Sequence, residues 1–358
     1  MEKTPPKRKI SPFLIAVIIL LFLALALCAG VFWLWYSGRN AMTQADTTPE
    51  LPTQDTTEPL SGLDPYAGNN NYVQYNGAYY EYNEDITNIL LLGIDSKARS
   101  DAEPAQPTQA DVVVLAVLDR RQNKMSLVSL SRDIMCDIEL LNSHGEIISQ
   151  TNAQLALSYA YGDGAHISCE TTRNAVSNLF YGLPIHGYGA YQLTGIEKLN
   201  DSVGGVTLTI MAGDIDFPSI SKWTSRLVDG ETITMKGHEA RYYIGSRSQN
   251  SPNANEMRMQ RQKQYMLALL SQAKEQILSD PTALLTLYDA VDEYIITDLS
   301  LSDISYLATT ALSMDFSSNI HTLKGEAILN KETNYAEMYV DQEALSALMM
   351  ELFYTKVS

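Results

Sequence analysis

Basic residues are scarce in this chain. Its 358 residues include 42 Asp and Glu but 25 Lys and Arg, a formal net charge of -17. So acidic a chain has no cationic excess to displace phosphate counterions, which excludes a general nucleic-acid binder. Phosphate chemistry, if present, has to rest on a local group of Arg or Lys. Cysteine is scarcer still, at three residues, and Cys28 falls in an apolar segment. Cys136 and Cys169 allow at most one disulfide, show no CxxC or Cys/His metal spacing, and read as two buried thiols. The five histidines show no HExxH or His-x-His pattern. No GxSxG elbow or Walker motif occurs, so the common zinc-hydrolase, serine-hydrolase and P-loop signatures are all missing.

What is present begins with an uncharged apolar run, FLIAVIILLFLALALCAGVFWLWY, from Phe13 to Tyr36. It exceeds the roughly 20 residues that span a bilayer as a helix. Trp33, Trp35 and Tyr36 stand at its end, where aromatic rings favour the interface and small cleavage-site residues would otherwise be expected. Lys3, Lys7, Arg8 and Lys9 precede it, so the positive-inside rule puts the N-terminus in the cytoplasm. The reading is a cytoplasmic tail at 1–12, an uncleaved transmembrane helix at 13–36, an extracellular linker at 37–84 and one domain at 85–355. Thr, Pro, Gln, Asp and Glu dominate the first half of the linker, which reads as an extended spacer. Its Tyr-rich second half either packs on the domain as an edge strand or stays solvated.

Hydrophobic residues make up 45% of the chain, enough for a sizeable core. ITNILLLGID (86–95), DVVVLAVLD (111–119) and KMSLVSLSRD (124–133) read as strands, the last two joined by a short turn as an antiparallel hairpin. Helical periods follow at 152–161, 166–181 and 194–203, the last stopping at Gly204-Gly205 before a strand at VTLTI. A long amphipathic helix runs from about Asn255 to Leu278, and LSDISYLATTALS and QEALSALMMELFY read as further helices. Strands interleaved with helices predict an α/β fold: a central mixed β-sheet flanked by helices on both faces, in three α-β-α layers.

Asp95 and Asp111 bracket strand ends, where ligands gather in open α/β sheets, and two carboxylates there suit a hard cation such as Mg2+. Taken alone, an Asp after a strand is more often a turn former or helix cap. Arg132 ends a strand in Ser131-Arg132-Asp133. Arg258, Arg261 and Gln262 are spaced i, i+3, i+4, so they share one helix face. Two guanidiniums and an amide side by side suit a multi-oxygen anion such as pyrophosphate, though a solvated charged face has the same spacing.

These segments, in order, resemble the LytR-CpsA-Psr family. NILLLGIDS resembles its opening strand, DVVVLAVLD the strand of its R-x-D element, and SLVSLSRD its S-x-x-R-D element. TNAQLALSYAYGDG, LNDSVGGVTLTI, GHEARYYIGSR and NEMRMQRQ resemble the four elements that follow. The resemblance implies a membrane-anchored transferase that moves a phosphorylated glycopolymer from a polyprenyl-pyrophosphate carrier onto peptidoglycan, outside the cell. It implies Mg2+ (or Mn2+) on Asp95 and Asp111, a reacting centre at Arg132 and Asp133, and pyrophosphate held by Arg132, Arg247, Arg258, Arg261 and Gln262.

Three positions depart from the pattern. The Arg of R-x-D is Gln109, the first Arg of R-x-R is Gly245, and the Asp before the long helix is Asn255. An Arg99-Ser100-Asp101 triplet is a decoy, set apart from the strand by a Pro-containing stretch. Charge-assisted hydrogen bonds contribute roughly 1.5–3 kcal/mol each, so these losses weaken phosphate binding unless Lys97 or Arg99 compensates. The alternative is therefore a catalytically weakened domain that binds lipid-linked polymer or wall partners as a scaffold or regulator. A ligand-free structural ectodomain is the third option.

Overall fold

The computed structural model describes residues 33, 35–43, 48–50, 72–94, 108–142, 144–211, 225–246, 254–280, 282–315, 320–333 and 335–357. A helical stretch at 35–42 (α1) precedes a hairpin of β1 (Tyr72–Tyr75) and β2 (Ala78–Tyr82). Three longer strands follow, β3 (Ile86–Ile94), β4 (Ala110–Asp119) and β5 (Lys124–Leu130), then a ribbon of β6 (Met135–Leu141) and β7 (Ile147–Gln154). Helices α2 (Leu155–Ala160) and α3 (His166–Leu179) lead to β8 (Gly187–Gln192), α4 (Ile196–Ser202) and the short strands β9 (Thr207–Thr209) and β10 (Thr232–Thr234). Next come α5 (Gly237–Gly245), α6 (Ala254–Ser279), α7 (Ala283–Asp292), β11 (Ile295–Thr297) and α8 (Leu301–Ser313). The last elements are β12 (Ile320–Thr322), β13 (Gly325–Leu329), β14 (Ala336–Val340), α9 (Gln342–Phe353) and β15 (Tyr354–Lys356).

The central sheet has the order β11-β8-β3-β4-β5-β12. β4 pairs antiparallel with both β3 and β5, the latter as the expected hairpin, while β8 runs parallel to β3 and β12 parallel to β5. The sheet is therefore mixed, as expected. In β4 the period of two is hidden in sequence because both faces are apolar. Val113, Leu115 and Val117 join one core with Leu155 and Tyr159 of α2, Val176 of α3 and Met349 of α9. Val114, Ala116 and Leu118 join another with Tyr306 of α8, and Met266 and Leu270 of α6 pack against it. Helices thus cover both faces, and each fully buried Val or Leu contributes about 1.5–3 kcal/mol.

A third core lies beside the sheet, where α4, α5, β9, β10 and the inner side of α6 meet around Ile196, Val206, Tyr243, Ile244 and Tyr265. Asn200, fully buried, holds it together: its amide donates to Met235 O at 2.8 Å and accepts from Val206 N–H and Tyr265 O–H. Gly204 and Gly205, at φ 78° and 92°, stop α4 where the sequence marks a helix end.

Several expectations are revised. The Tyr-rich stretch is a hairpin whose β2 pairs with β15, and Tyr82 is buried in the main core, so packed structure starts ahead of residue 85. Parts of the expected spacer, and Trp35 at the end of the expected transmembrane run, are docked. Met42 is buried among Ile89, Val114 and Tyr306, Thr87 Oγ1 donates to its carbonyl at 2.9 Å, and Trp35 meets Tyr306 edge-on at 5.9 Å. Gly38 permits that approach, because a Cβ there would stand 2.2 Å from Ser302 O. Farther along, Glu50 N–H donates to Tyr181 O at 2.8 Å. The helix expected from 152 starts at Leu155, because β7 continues to Gln154. The apolar run 13–36 lies outside the described residues apart from Trp33, Trp35 and Tyr36, and among the described residues no helix is long and apolar enough to cross a membrane. Cys136 and Cys169 are free and buried, and burial pushes both thiols up to about 12.

Candidate functional site

Strand register gathers the site at one edge of the sheet. Ile94, at the end of β3, pairs with Ala110 at the start of β4 across a bulge, and with Gln192 at the end of β8. Leu130, at the end of β5, pairs with Val113. Asp111, the second residue of β4, and Arg132, two residues beyond β5, therefore sit side by side. The backbone at Arg132 is well anchored. Ser131 turns the chain, its Oγ accepting from Asp133 N–H at 3.3 Å. Arg132 O caps α2 by accepting from Ala156 N–H at 3.0 Å, and Asp133 O accepts from Met338 N–H of β14 at 2.8 Å.

The Arg132 guanidinium lies among three acceptors. It forms an ion pair with Asp111 Oδ1, donates to Gln109 Oε1, and stands 3.7 Å from Asp133 Oδ1. Gln154 Nε2 approaches the same Asp133 oxygen at 3.4 Å and donates to Ala336 O at 2.6 Å. The side chains of Arg132, Asp111 and Asp133 keep 23%, 17% and 16% exposure, so the cluster stays within reach of a ligand. Two carboxylates outweigh one guanidinium, and an anion must compete with Asp111 for Arg132. Gln109 sharpens this: its amide oxygen accepts from Arg132, where an arginine at that position would offer no acceptor and repel it.

Mg2+ asks for about six oxygens, usually few of them from protein. Among the described residues no group of three or more His, Cys, Asp or Glu is placed to hold a metal. Asp111 supplies one carboxylate, and water and substrate phosphate habitually complete such a shell, so the donors present fit a substrate-assisted cation rather than an all-protein cage. Asp95, the other expected ligand, lies outside the described residues, as do Arg247, Lys97 and Arg99.

The helix-face arginines divide. Arg261 is fully buried; its Nε donates to Tyr243 O at 2.9 Å, its Nη2 donates to Ser246 O, and its guanidinium lies 5.9 Å from the Tyr243 ring centroid. Gln262 Nε2 donates to Ile244 O at 3.1 Å. Together they cap the carbonyls at the C-terminal end of α5, where a cation also complements the helix dipole. Arg261 was expected at the pyrophosphate; here its Nε and Nη2 donate to backbone carbonyls of the α5 end. Arg258, one turn earlier, is 9% exposed. Tyr265 on the same stripe belongs to the third core, and burial raises its hydroxyl pKa. Sequence reasoning overlooked Gln154 and the acceptor role of Gln109; neither carries a motif signal, because only register brings them to Arg132.

A profile of the LytR_cpsA_psr family matches residues 52–353. The chain belongs to this family. Among its LytR-CpsA-Psr relatives, the polyisoprenyl-teichoic acid–peptidoglycan teichoic acid transferase TagU of Enterococcus faecalis is 26% identical over 274 residues, covering 75% of this chain and 80% of that one. Of the solved structures, a Streptococcus agalactiae protein superposes with a TM-score of 0.60 at 21% identity, covering 75% of this chain and 86% of that one. TagT bound to LIIa-WTA superposes at 0.55 and 22% identity, covering 75% and 89%. At these identities the superpositions speak for the LytR-CpsA-Psr fold alone.

Proposed function

We propose that this chain is a membrane-anchored extracellular transferase that moves a phosphorylated glycopolymer from a polyprenyl-pyrophosphate carrier to peptidoglycan. The observation that carries the reading is Arg132, backbone-clamped at the convergent sheet edge with a partly exposed guanidinium flanked by Asp111 and Asp133. The printed activity of the TagU relative supports the reaction class, and the apolar run 13–36 with its basic N-terminal flank supports the anchor and the outward topology.

In the reaction, an acceptor sugar hydroxyl attacks the phosphorus bearing the polymer, polyprenyl phosphate leaves, and a phosphodiester forms. Arg132 exchanges the Asp111 carboxylate for phosphate oxygens and binds them through its planar fork. Asp133, steadied by Gln154, keeps that fork aimed and is the carboxylate placed to take the hydroxyl proton. Bound at Asp111 and Asp95, Mg2+ or Mn2+ would supply positive charge to the phosphate oxygens. Arg261 and Gln262 act from below by fixing the end of α5 ahead of Arg247. Little covalent chemistry falls to the protein; positioning and charge do the work.

The test is transfer of label from a polyprenyl-pyrophosphate oligosaccharide to peptidoglycan oligomers by the full-length protein in nanodiscs with Mg2+. Product that disappears with Arg132→Ala upholds the transferase. A second reading, a polymer-binding scaffold, is favoured by the hold that Gln109 and Asp111 already have on Arg132. Saturable carrier binding without product, weakened by the same substitution, would select it.

A further inference from the structure

A pocket of about 720 Å³ opens between the start of α4 and the outer side of α5. Its floor is aliphatic, from Leu193, Ile196 and Ile244, and its walls carry Glu197, Arg241 and Tyr242. Arg241 Nη1 lies 3.4 Å from Glu197 Oε1, with both side chains about half exposed. The pocket adjoins the site edge: Leu193 follows directly on β8, and its Cδ2 comes within 3.3 Å of where a Cβ on Gly93 would stand, beside Val112.

Gly245 lines the same pocket, and a Cβ built on it meets nothing within 4 Å. Its backbone lies in ordinary helix, so no conformational demand calls for glycine. This is the position where the related motif carries an arginine. The missing side chain therefore leaves open a space that a guanidinium would otherwise enter.

The wall chemistry narrows the occupant. An isoprenoid would strip water from Arg241 and Glu197 without replacing it, an expensive exchange. A pyranose ring suits both surfaces. Its C–H face packs on the aliphatic floor, its hydroxyls donate to Glu197, and its ring or acetamido oxygens accept from Arg241. Tyr242, 43% exposed at the rim, offers a ring for stacking. We propose that this pocket is a sugar subsite, opened by Gly245 next to the sheet-edge cluster. It rests on the transferase reading for its purpose, since the sugar is either the acceptor glycan or the first residue of the carried polymer.

Binding is measured on the full-length protein in nanodiscs, without metal, with two probes. One is a peptidoglycan tetrasaccharide; the other is a short-chain prenyl-pyrophosphate N-acetylglucosamine, compared with its sugar-free parent. Gly245→Arg fills the pocket, and Arg241→Ala, a surface change outside every core, removes one wall. About tenfold weaker tetrasaccharide binding in both variants, at unchanged thermal midpoint, assigns the acceptor glycan. Loss of only the sugar-dependent increment of the prenyl probe assigns the carried polymer. Wild-type affinity for both probes in both variants, or no sugar-dependent binding in the native protein, overturns the subsite. Because sugar binding is read without turnover, it stands or falls separately from the transferase reaction.

Discussion

Arg132 and Arg261 come from the same set of motifs, and the fold gives them opposite surroundings. Arg132 sits at a sheet edge, partly open, facing side-chain carboxylates and an amide that a ligand can displace. Arg261 sits under the end of α5 at 0% exposure, with Nε and Nη2 on backbone carbonyls. A guanidinium is a binding group when its acceptors can be exchanged and a brace when they cannot. Residue type and spacing do not separate the two; the acceptors do.

The sharpest way to break this contrast is to remove each side chain and compare activity with stability. Arg132→Ala should lower label transfer by about 10²–10³-fold, the usual scale for deleting one positioned charge donor. Its stability should change by no more than about 1 kcal/mol, because the pair is partly solvated. Arg261→Ala should do the reverse, costing about 3 kcal/mol in denaturant unfolding as buried carbonyls lose their donors. Arg261→Lys should recover only part of that, since an ammonium cannot span two carbonyls as a fork does. If the two alanine variants behave alike in both assays, the distinction fails.

Gln109→Arg sharpens the exchange side of the comparison. It takes an acceptor away from Arg132 and adds a cation beside it, so pyrophosphate affinity measured by calorimetry should rise about tenfold, about 1.4 kcal/mol and just under the usual range of a charge-assisted hydrogen bond. Unchanged affinity would mean that Gln109 does not restrain Arg132. The smallest effect lies away from both arginines. His186 Nδ1 accepts from Asn88 N–H at 3.1 Å, and burial, with the Arg120 charge nearby, holds the ring's pKa below its ordinary 6.5. The folded state thus favours the neutral ring. Its contribution is complete above pH 6.5 and is lost as pH falls below that toward the folded pKa. His186→Gln should flatten this acid limb of the stability curve while leaving the Arg132 and Arg261 contrasts unchanged.

Much of the sheet was legible in sequence. The apolar runs of β3 and β4, the short turn to β5 and the double glycine after α4 each carry a local signal that tertiary context does not override. The β6–β7 ribbon was not, since most of β7 is exposed and polar and shows no alternation. Nor was the docking of α1, because Trp35 reads as the end of the apolar run and Met42 is a lone apolar residue in a polar stretch. At the site, Asp111 and Arg132 could be read as candidates from their motifs, but their contact follows from strand register. The burial of Arg261 was invisible, because i, i+3, i+4 spacing describes a solvated face as well as a cap beneath another helix.

The docked stretch at 35–42 also bears on how a soluble form of the protein should be cut. Removing everything up to residue 47 would discard Met42 and Trp35 and uncover part of the apolar cluster they share with Ile89 and Val114 of the sheet and Tyr306 of α8. Such a product would tend to self-associate. A cut just ahead of Trp33 keeps the strip covered, and light scattering on the two products would tell a stable monomer from a sticky one.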